Sequence, residues 1–191
     1  MVRSFTKQTL PGGLVESLCD QARHAPSAGH TQAVSFLVLD SPGACKRYWE
    51  TTLPPGRRPH FSFPQLLNAP ALVLVLVSPQ AYLDRYSEPD KLETGRGSSF
   101  EAWPVPFWWV DSGAAVQNLL LLVTNTGLGA CLVGLFDNEK AVHAEFGLEP
   151  EQRIVAAVAI GYRLDGPFGR SSGRPWKPVD EVIRQARAGQ R

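Results

Sequence analysis

Apolar residues recur along the chain with two periods, one typical of helices and one of strands. Leu14, Leu18 and Ala22 are spaced as on one face of a helix, which predicts a helix over residues 14–24 that ends before Pro26. Three other runs are apolar with little interruption and therefore predict strands, namely residues 35–39, 71–77 and 153–161. The second and third runs contain almost no polar side chain, so we expect both of their faces to be buried.

Capping residues predict where other helices begin and end. Ser41 followed by Pro42 indicates the start of a helix that continues through Tyr48. Asn138 is expected to open another helix, which Gly147 closes. The elements are completed by a short strand over 131–135 and by a last helix over 179–187 that begins after Pro178.

The helix predicted after residue 110 gives an indication of the oligomeric state. Asp111 or Ser112 is its expected N-cap, and Gly127 is its expected end. Residues 114–123 are apolar on nearly every side, so the helix should be enclosed all round. A helix of a small domain is rarely so enclosed without a second subunit, and the pattern therefore favours a dimer.

Together these elements predict an α+β fold, with a mostly antiparallel central sheet, helices around it and one helix at its centre. The chain shows no repeat and no linker, so residues 1–191 are expected to form a single domain. Residues 79–110 are the irregular part and fit neither a regular strand nor a regular helix. They are interpreted as a hydrophobic plug between subunits, as a lid over a flat aromatic ligand, or as both. The residues behind this interpretation are Trp103, Phe107, Trp108 and Trp109.

Composition excludes several classes of protein. The 191 residues carry a net charge of +1, with a pI near 7.8, which does not indicate a nucleic-acid-binding protein. The three cysteines form no CxxC pair, so neither a disulfide framework nor a zinc site is expected. The first residues lack an apolar signal core, and the longest apolar run is too short to span a bilayer. The expected location is therefore the cytoplasm, with no membrane partner.

Two short segments combine small and polar residues in a way that suits a ligand. Residues 25–32 read APSAGHTQ and join a predicted helix to a predicted strand, a common place for a planar polar cofactor. Residues 127–134 read GLGACLVG, but their glycine spacing is not that of a dinucleotide fingerprint. No phosphate-binding GxxxxGK[ST] loop and no GxSxG motif is present, and the four histidines have no partner at metal spacing.

The order of these motifs resembles that of the nitroreductase superfamily of flavoproteins, and the resemblance covers nearly the whole chain. Its elements are Arg3-x-Phe5-Thr6, APSAGHTQ, the apolar helix, GLGACLVGLFD at 127–137 and the basic run RPWKP at 174–178. The segments at 85–91 and 103–111 are similar to an actinobacterial subgroup. No single motif is decisive, but their joint order is.

The resemblance implies an FMN enzyme that works as a homodimer, with FMN at the subunit interface. By the same analogy, NADH or NADPH reduces the flavin and a second substrate reoxidises it in a ping-pong cycle. The acceptor would be a small planar molecule such as a nitroaromatic or a quinone. No side chain is assigned as catalytic, because the cofactor carries the chemistry. The implied cofactor-binding residues are Arg3, Ser27, Ala28, Gly29, His30, Gln32, Val133, Gly134, Leu135, Arg170, Arg174 and Lys177, and the implied substrate-binding residues are Trp103, Phe107 and Trp108.

Three departures from the family pattern keep alternatives open. The usual Arg-Arg-Ser start is incomplete here. Three explanations are open: residues upstream complete the pattern, the C-terminal arginines compensate for it, or FMN binds weakly. His30 stands where the family has Asn, and Ala33-Val34 where it has Pro-Trp. A natural-product dehydrogenase and a flavin-storage protein with little turnover are the alternative functions.

Overall fold

The fold is built on a four-stranded sheet whose neighbouring strands all run antiparallel. We describe it from a computed structural model, which describes residues 1–135, 138–166, 169 and 172–185. The strands are β1 (Val34–Leu39), β2 (Ala71–Val77), β3 (Gly129–Val133) and β4 (Arg153–Gly161), and their order in the sheet is β1-β2-β4-β3. The two central strands match the apolar runs expected to be buried on both faces, and every residue of β2 is buried.

Helices cover the sheet. They are α1 (Leu14–Ala22), α2 (Pro42–Thr52), α3 (Gln80–Tyr86), α4 (Phe107–Asn125), α5 (Glu139–Phe146) and α6 (Val179–Val182). The apolar residues of α1 and α4 form one core with one face of the sheet, while those of α2 and α5 join the core on the other face. Among the described residues, no helix is long and apolar enough to cross a membrane.

Several predicted boundaries hold. Ser41 caps α2, since its side chain accepts a hydrogen bond from the backbone N–H of Ala44 at 3.2 Å. Gly147 ends α5 in the left-handed conformation that glycine adopts most easily. β2 and β4 have the predicted bounds, and β1 begins one residue earlier than expected.

The predicted start of α4 is wrong. The helix begins at Phe107, directly after Pro106, and Asp111 and Ser112 therefore lie inside its second turn with buried side chains. Residues 79–110 were expected to be irregular, but α3 and residues 107–110 are helical. A proline ahead of a helix removes no helical hydrogen bond, which is why the proline-rich approach and the helix are compatible.

In a single chain α4 is enclosed on one side only, and the enclosure expected from a second subunit stays a prediction. One side packs on α1 and on the sheet, but the other side is exposed, with Val110 at 49% and Leu121 at 59% exposure. Three other elements differ in their bounds from the predictions. α1 ends at Ala22, β3 spans residues 129–133 rather than 131–135, and α6 ends at Val182, before an extended Ile183. The last part of that helix prediction, residues 186–187, lies outside the described residues.

Candidate functional site

The polar turn between α1 and β1 has a strained backbone. Gly29, His30 and Gln32 all have positive φ angles, of 61°, 56° and 54°. This conformation is uncommon for residues other than glycine, and residues held in it are enriched at functional sites. Ser27 fixes the turn internally, because its Oγ accepts a hydrogen bond from the Gln32 N–H at 2.9 Å.

A buried carboxylate from α4 holds this turn in place. Asp111 is only 5% exposed, and its Oδ2 accepts hydrogen bonds from the Ala28 N–H at 2.8 Å and from the Tyr82 hydroxyl at 2.7 Å. Burial, together with Asp111, raises the pKa of Tyr82, so this hydroxyl stays protonated and remains a donor. This role was not predicted from the sequence, in which Asp111 is expected only as a helix cap.

A second anchor comes from α3. The Nε of Arg85 donates to the Gly29 carbonyl at 2.8 Å, while its two terminal nitrogens reach the carboxylate of Asp90 at 2.7 and 2.8 Å. Gly29 also packs against the ring of Tyr86, and a Cβ at this position would lie 2.8 Å from that ring. The turn is therefore clamped by a carboxylate on one side and by a guanidinium on the other.

The aromatic residues predicted to contact substrate fall into two classes. Trp103 and Trp108 are buried and make edge contacts with Tyr82, at ring-centroid distances of 5.8 and 6.0 Å. Phe107 is 39% exposed at the start of α4. The two tryptophans thus support the side chain that holds Asp111, and Phe107 is the one of the three that is open to a ligand.

Four other predicted cofactor residues lie at the β3 edge of the sheet. Residues 1–5 run beside β3, with a hydrogen bond from the Val2 N–H to the Ala130 carbonyl at 2.9 Å. The guanidinium of Arg3 is half-buried between the ring of Phe63, 5.2 Å from its centroid, and the backbone of Gly169. Three further residues predicted to bind the cofactor follow directly at the end of β3: Val133, Gly134 and Leu135.

The predicted phosphate-binding residues follow β4. Arg174 and Lys177 are exposed, in a described stretch that precedes α6. Arg170 lies outside the described residues. Cys131 in β3 is buried, and burial raises the pKa of its thiol, which favours a packing function over a reactive one. No group of three metal-ligating side chains occurs within the described ranges.

One chain does not bring the two groups of residues into a single pocket. The turn precedes β1 and residues 133–135 follow β3, so both lie at the same end of the sheet but at its opposite edges. Three strand spacings separate those edges, or about 14 Å. The cavity beside the turn has a volume of about 130 Å³, which is below the ~300–1,000 Å³ usual for a small-molecule site, and its wall includes Ser27, Gln32 and Asp111 but no residue of β3.

Relatives in sequence match most of the chain. A protein of Archaeoglobus fulgidus, named for NADH dehydrogenase or NAD(P)H nitroreductase activity, is 26% identical over 168 residues, which cover 86% of this chain and 80% of the relative. An NADH dehydrogenase of Thermus thermophilus is 26% identical over 175 residues, with 84% and 81% of the two chains covered.

Solved structures show the same fold. A nitroreductase family protein of Streptococcus pneumoniae superposes with a TM-score of 0.70 at 19% identity, over 97% of this chain and 94% of the other. A nitroreductase-like protein of Exiguobacterium sibiricum, solved in complex with FMN, gives a TM-score of 0.69 at 18% identity, over 97% and 92%. The family model of the Nitroreductase family matches residues 1–162. This chain therefore belongs to the Nitroreductase family, whose members are FMN-dependent oxidoreductases.

Proposed function

We propose that this protein is an oxidoreductase that uses FMN to transfer electrons from NADH or NADPH to a small planar acceptor, such as a nitroaromatic or a quinone, in a ping-pong cycle. Support comes from the family match and from the relatives named for NAD(P)H-linked activities. The observation that carries the proposal is the strained turn, which two long-range anchors hold in a conformation that its own residues disfavour.

The residues present fit FMN. The turn offers small side chains and polar backbone to a ring edge, with Ser27, Ala28, Gly29, His30 and Gln32 in the family's positions. His30 replaces the family's asparagine but keeps the ability to form hydrogen bonds. Arg3 supplies a half-buried cation that forms no ion pair with any described carboxylate.

Each group of residues has its own function in this proposal. Bound FMN would supply the two-electron chemistry, which is why no side chain is required as acid or base. Arg3 would stabilise negative charge on the ring, because a cation in a half-buried position interacts more strongly than one in water. Backbone N–H groups of residues 133–135 would donate to the flavin, and Arg174 and Lys177 would bind the phosphate. Phe107 would cover the acceptor, with Trp103 and Trp108 behind it.

The site is complete only in a homodimer. The turn and the β3 edge lie about 14 Å apart in one chain, and a second copy would bring its turn to the β3 edge of the first. The exposed side of α4 provides the surface for this contact, since its large apolar residues are open to solvent in one chain. The residues concerned are Phe107, Trp109, Val110 and Leu121. Each protomer is proposed to be one domain, in which residues 79–110 contribute to both the lid and the dimer contact.

The dimer is tested with a charge on the exposed side of α4. Leu121→Asp should dissociate the protein into monomers in sedimentation experiments and should abolish FMN binding together with the dimer. Ala141→Asp, an exposed position on α5, is the matched control and should stay dimeric. A Leu121→Asp variant that is monomeric and still binds FMN tightly would contradict a site shared between subunits.

The activity is tested with FMN-loaded protein under anaerobic conditions. In a single-turnover experiment, NADH or NADPH should reduce the bound flavin, and menadione or a nitrobenzoate should then reoxidise it. Initial rates at several acceptor concentrations should give parallel double-reciprocal lines, as a ping-pong cycle requires. Tight FMN binding without reduction by either nucleotide would contradict the proposal.

The cytoplasmic location predicted from sequence agrees with the three cysteines, which are all free and buried.

A further inference from the structure

A larger cavity lies at the other end of the sheet from the turn. Its volume is about 430 Å³, which is within the range of small-molecule sites. Residues 7–15 form one wall, the first turns of α2 form another, and Ala71 at the start of β2 lies at its base. β1 separates the turn from Asp40 at the cavity rim, a distance of about 20 Å at ~3.3 Å per residue. The cavity is therefore distinct from the turn.

The interior of this cavity is mostly apolar. Val15, Cys45 and Trp49 are buried side chains in its wall, and Leu10 and Leu67 are half-buried. Burial raises the pKa of the Cys45 thiol to about 11, and its Sγ lies 3.1 Å from the Leu39 carbonyl. The thiol therefore stays neutral and serves as part of an apolar wall rather than as a nucleophile.

The polar groups of the wall are mostly donors. Three cations, Lys7, Lys46 and Arg58, lie around the cavity against a single carboxylate, Asp40. Lys46 reaches Glu50 only at 3.8 Å, and its side chain is 71% exposed, so this pair leaves most of its charge available. The Nε of Arg58 donates a hydrogen bond to the Leu53 carbonyl at 3.1 Å, which leaves its two terminal nitrogens for a ligand.

Trp49 contributes apolar surface to the wall. Its indole N–H is buried, is closed to solvent and has no hydrogen-bond acceptor among the described residues. Because this nitrogen is not exposed in the cavity, the selectivity of the cavity comes from the three cations of its wall. Donors and cations around an apolar interior favour a ligand that has an apolar body and a negatively charged acceptor group.

We propose that this cavity binds a small amphipathic carboxylate, with its apolar body against Val15, Cys45 and Trp49 and its carboxylate toward Lys7, Lys46 and Arg58. The site is separate from the flavin site and does not depend on the function proposed above. Charge-assisted hydrogen bonds from lysine and arginine to a carboxylate supply its selectivity for an anion over a neutral analogue.

The test uses 2-naphthoate as the probe and FMN-saturated protein, with binding measured by calorimetry and by tryptophan fluorescence. Naphthoate should bind with a stoichiometry of one per chain, and the neutral 2-naphthamide should bind about tenfold more weakly. Lys46→Glu and Lys7→Glu should each weaken naphthoate binding by about fivefold to tenfold. Lys140→Glu is the control, with the same charge change on an exposed lysine of α5 outside the cavity, and it should bind like the wild type.

A fluorescence change that disappears in Trp49→Phe, while calorimetric binding remains, would support the position of the ligand. The proposal is overturned if naphthoate fails to bind at millimolar concentration, or if the amide binds equally well. It is also overturned if Lys140→Glu weakens binding as much as Lys46→Glu. Displacement of FMN by naphthoate would place the probe at the flavin site and would contradict a separate cavity.

Discussion

Asp111 offers a direct test of how the turn is held, because one carboxylate oxygen accepts both hydrogen bonds that tie α4 to Ala28 and Tyr82. Asp111→Asn keeps the shape of the side chain but removes its charge. Hydrogen bonds to a charged group contribute about 1.5–3 kcal/mol and neutral ones about 0.5–1.5 kcal/mol. Two bonds weakened by about 1 kcal/mol each lower the free energy of unfolding by about 2 kcal/mol.

Asp111→Ala should cost more, since it leaves two buried donors unpaired at about 1–3 kcal/mol each. The assay is urea unfolding of the FMN-saturated protein at fixed protein concentration, with FMN affinity measured in parallel. Asp84→Asn is the control, an exposed aspartate on α3 that accepts a hydrogen bond from Gln80, and it should change stability by less than about 0.5 kcal/mol. FMN affinity should fall at least about tenfold in both Asp111 variants and should not change in Asp84→Asn.

If Asp111→Asn unfolds at the wild-type urea concentration and binds FMN with wild-type affinity, Asp111 does not hold the turn. A lower stability with unchanged FMN affinity would refute the link from Asp111 to the cofactor and leave only its structural part. Tyr82→Phe removes one donor and keeps the ring. If both residues act through the shared hydrogen bond, the stability losses of Tyr82→Phe and Asp111→Asn should be less than additive in the double variant.

Three other positions give predictions of the same kind. Gly29→Ala should lower the free energy of unfolding by about 1–3 kcal/mol, because Gly29 has a positive φ and the new Cβ would lie 2.8 Å from the Tyr86 ring. Gly43→Ala in α2 is the control, since its Cβ meets open space, and it should not lower the stability. Arg85→Lys should weaken FMN binding several-fold. The planar guanidinium of Arg85 contacts both the Gly29 carbonyl and the Asp90 carboxylate, and a lysine ammonium cannot replace both contacts. Glu139→Gln should lower stability by about 1 kcal/mol at pH 7, because it weakens the paired hydrogen bonds from Arg153.

The Glu139 prediction also has a pH dependence. Its hydrogen bond with Arg153 holds the pKa of Glu139 below its ordinary value of 4.5 in the folded protein. The stabilisation is therefore complete above pH 4.5 and is lost as the pH falls through the lower folded-state pKa. The difference between wild type and Glu139→Gln should shrink over that window, and a constant difference down to pH 2 would contradict the ion pair as its cause. For the other two positions, equal effects of Gly29→Ala and Gly43→Ala, or wild-type FMN affinity in Arg85→Lys, would contradict the clamp.

The elements that the sequence predicted well are those set by local rules. β2 and β4 have their predicted bounds because apolar runs as short as theirs, of 7 and 9 residues, are typical of buried strands. The caps at Ser41 and Gly147 hold because each satisfies backbone groups within its own helix end. The family and the fold followed from the order of several motifs and are confirmed by the comparisons.

The start of α4 and the anchors of the turn could not be predicted in the same way. The proline and aromatic residues before Asp111 obscured a helix whose stability comes from packing of its buried side on α1 and the sheet. The bond between Asp111 and Ala28 spans 83 residues, and that between Arg85 and Gly29 spans 56. No local pattern reports such distant pairs. The functions assigned to the cofactor and substrate residues stay predictions, because they depend on a second subunit and a bound flavin.

FMN binding and reduction are tested most directly by the visible spectrum of the protein after incubation with FMN and removal of the unbound cofactor. Flavin bands at ~450 nm are expected, with one FMN per chain in a dimer, and NADH or NADPH should bleach these bands without oxygen. A correctly folded dimer that retains no FMN, or retains FMN that neither nucleotide reduces, would contradict the proposed function.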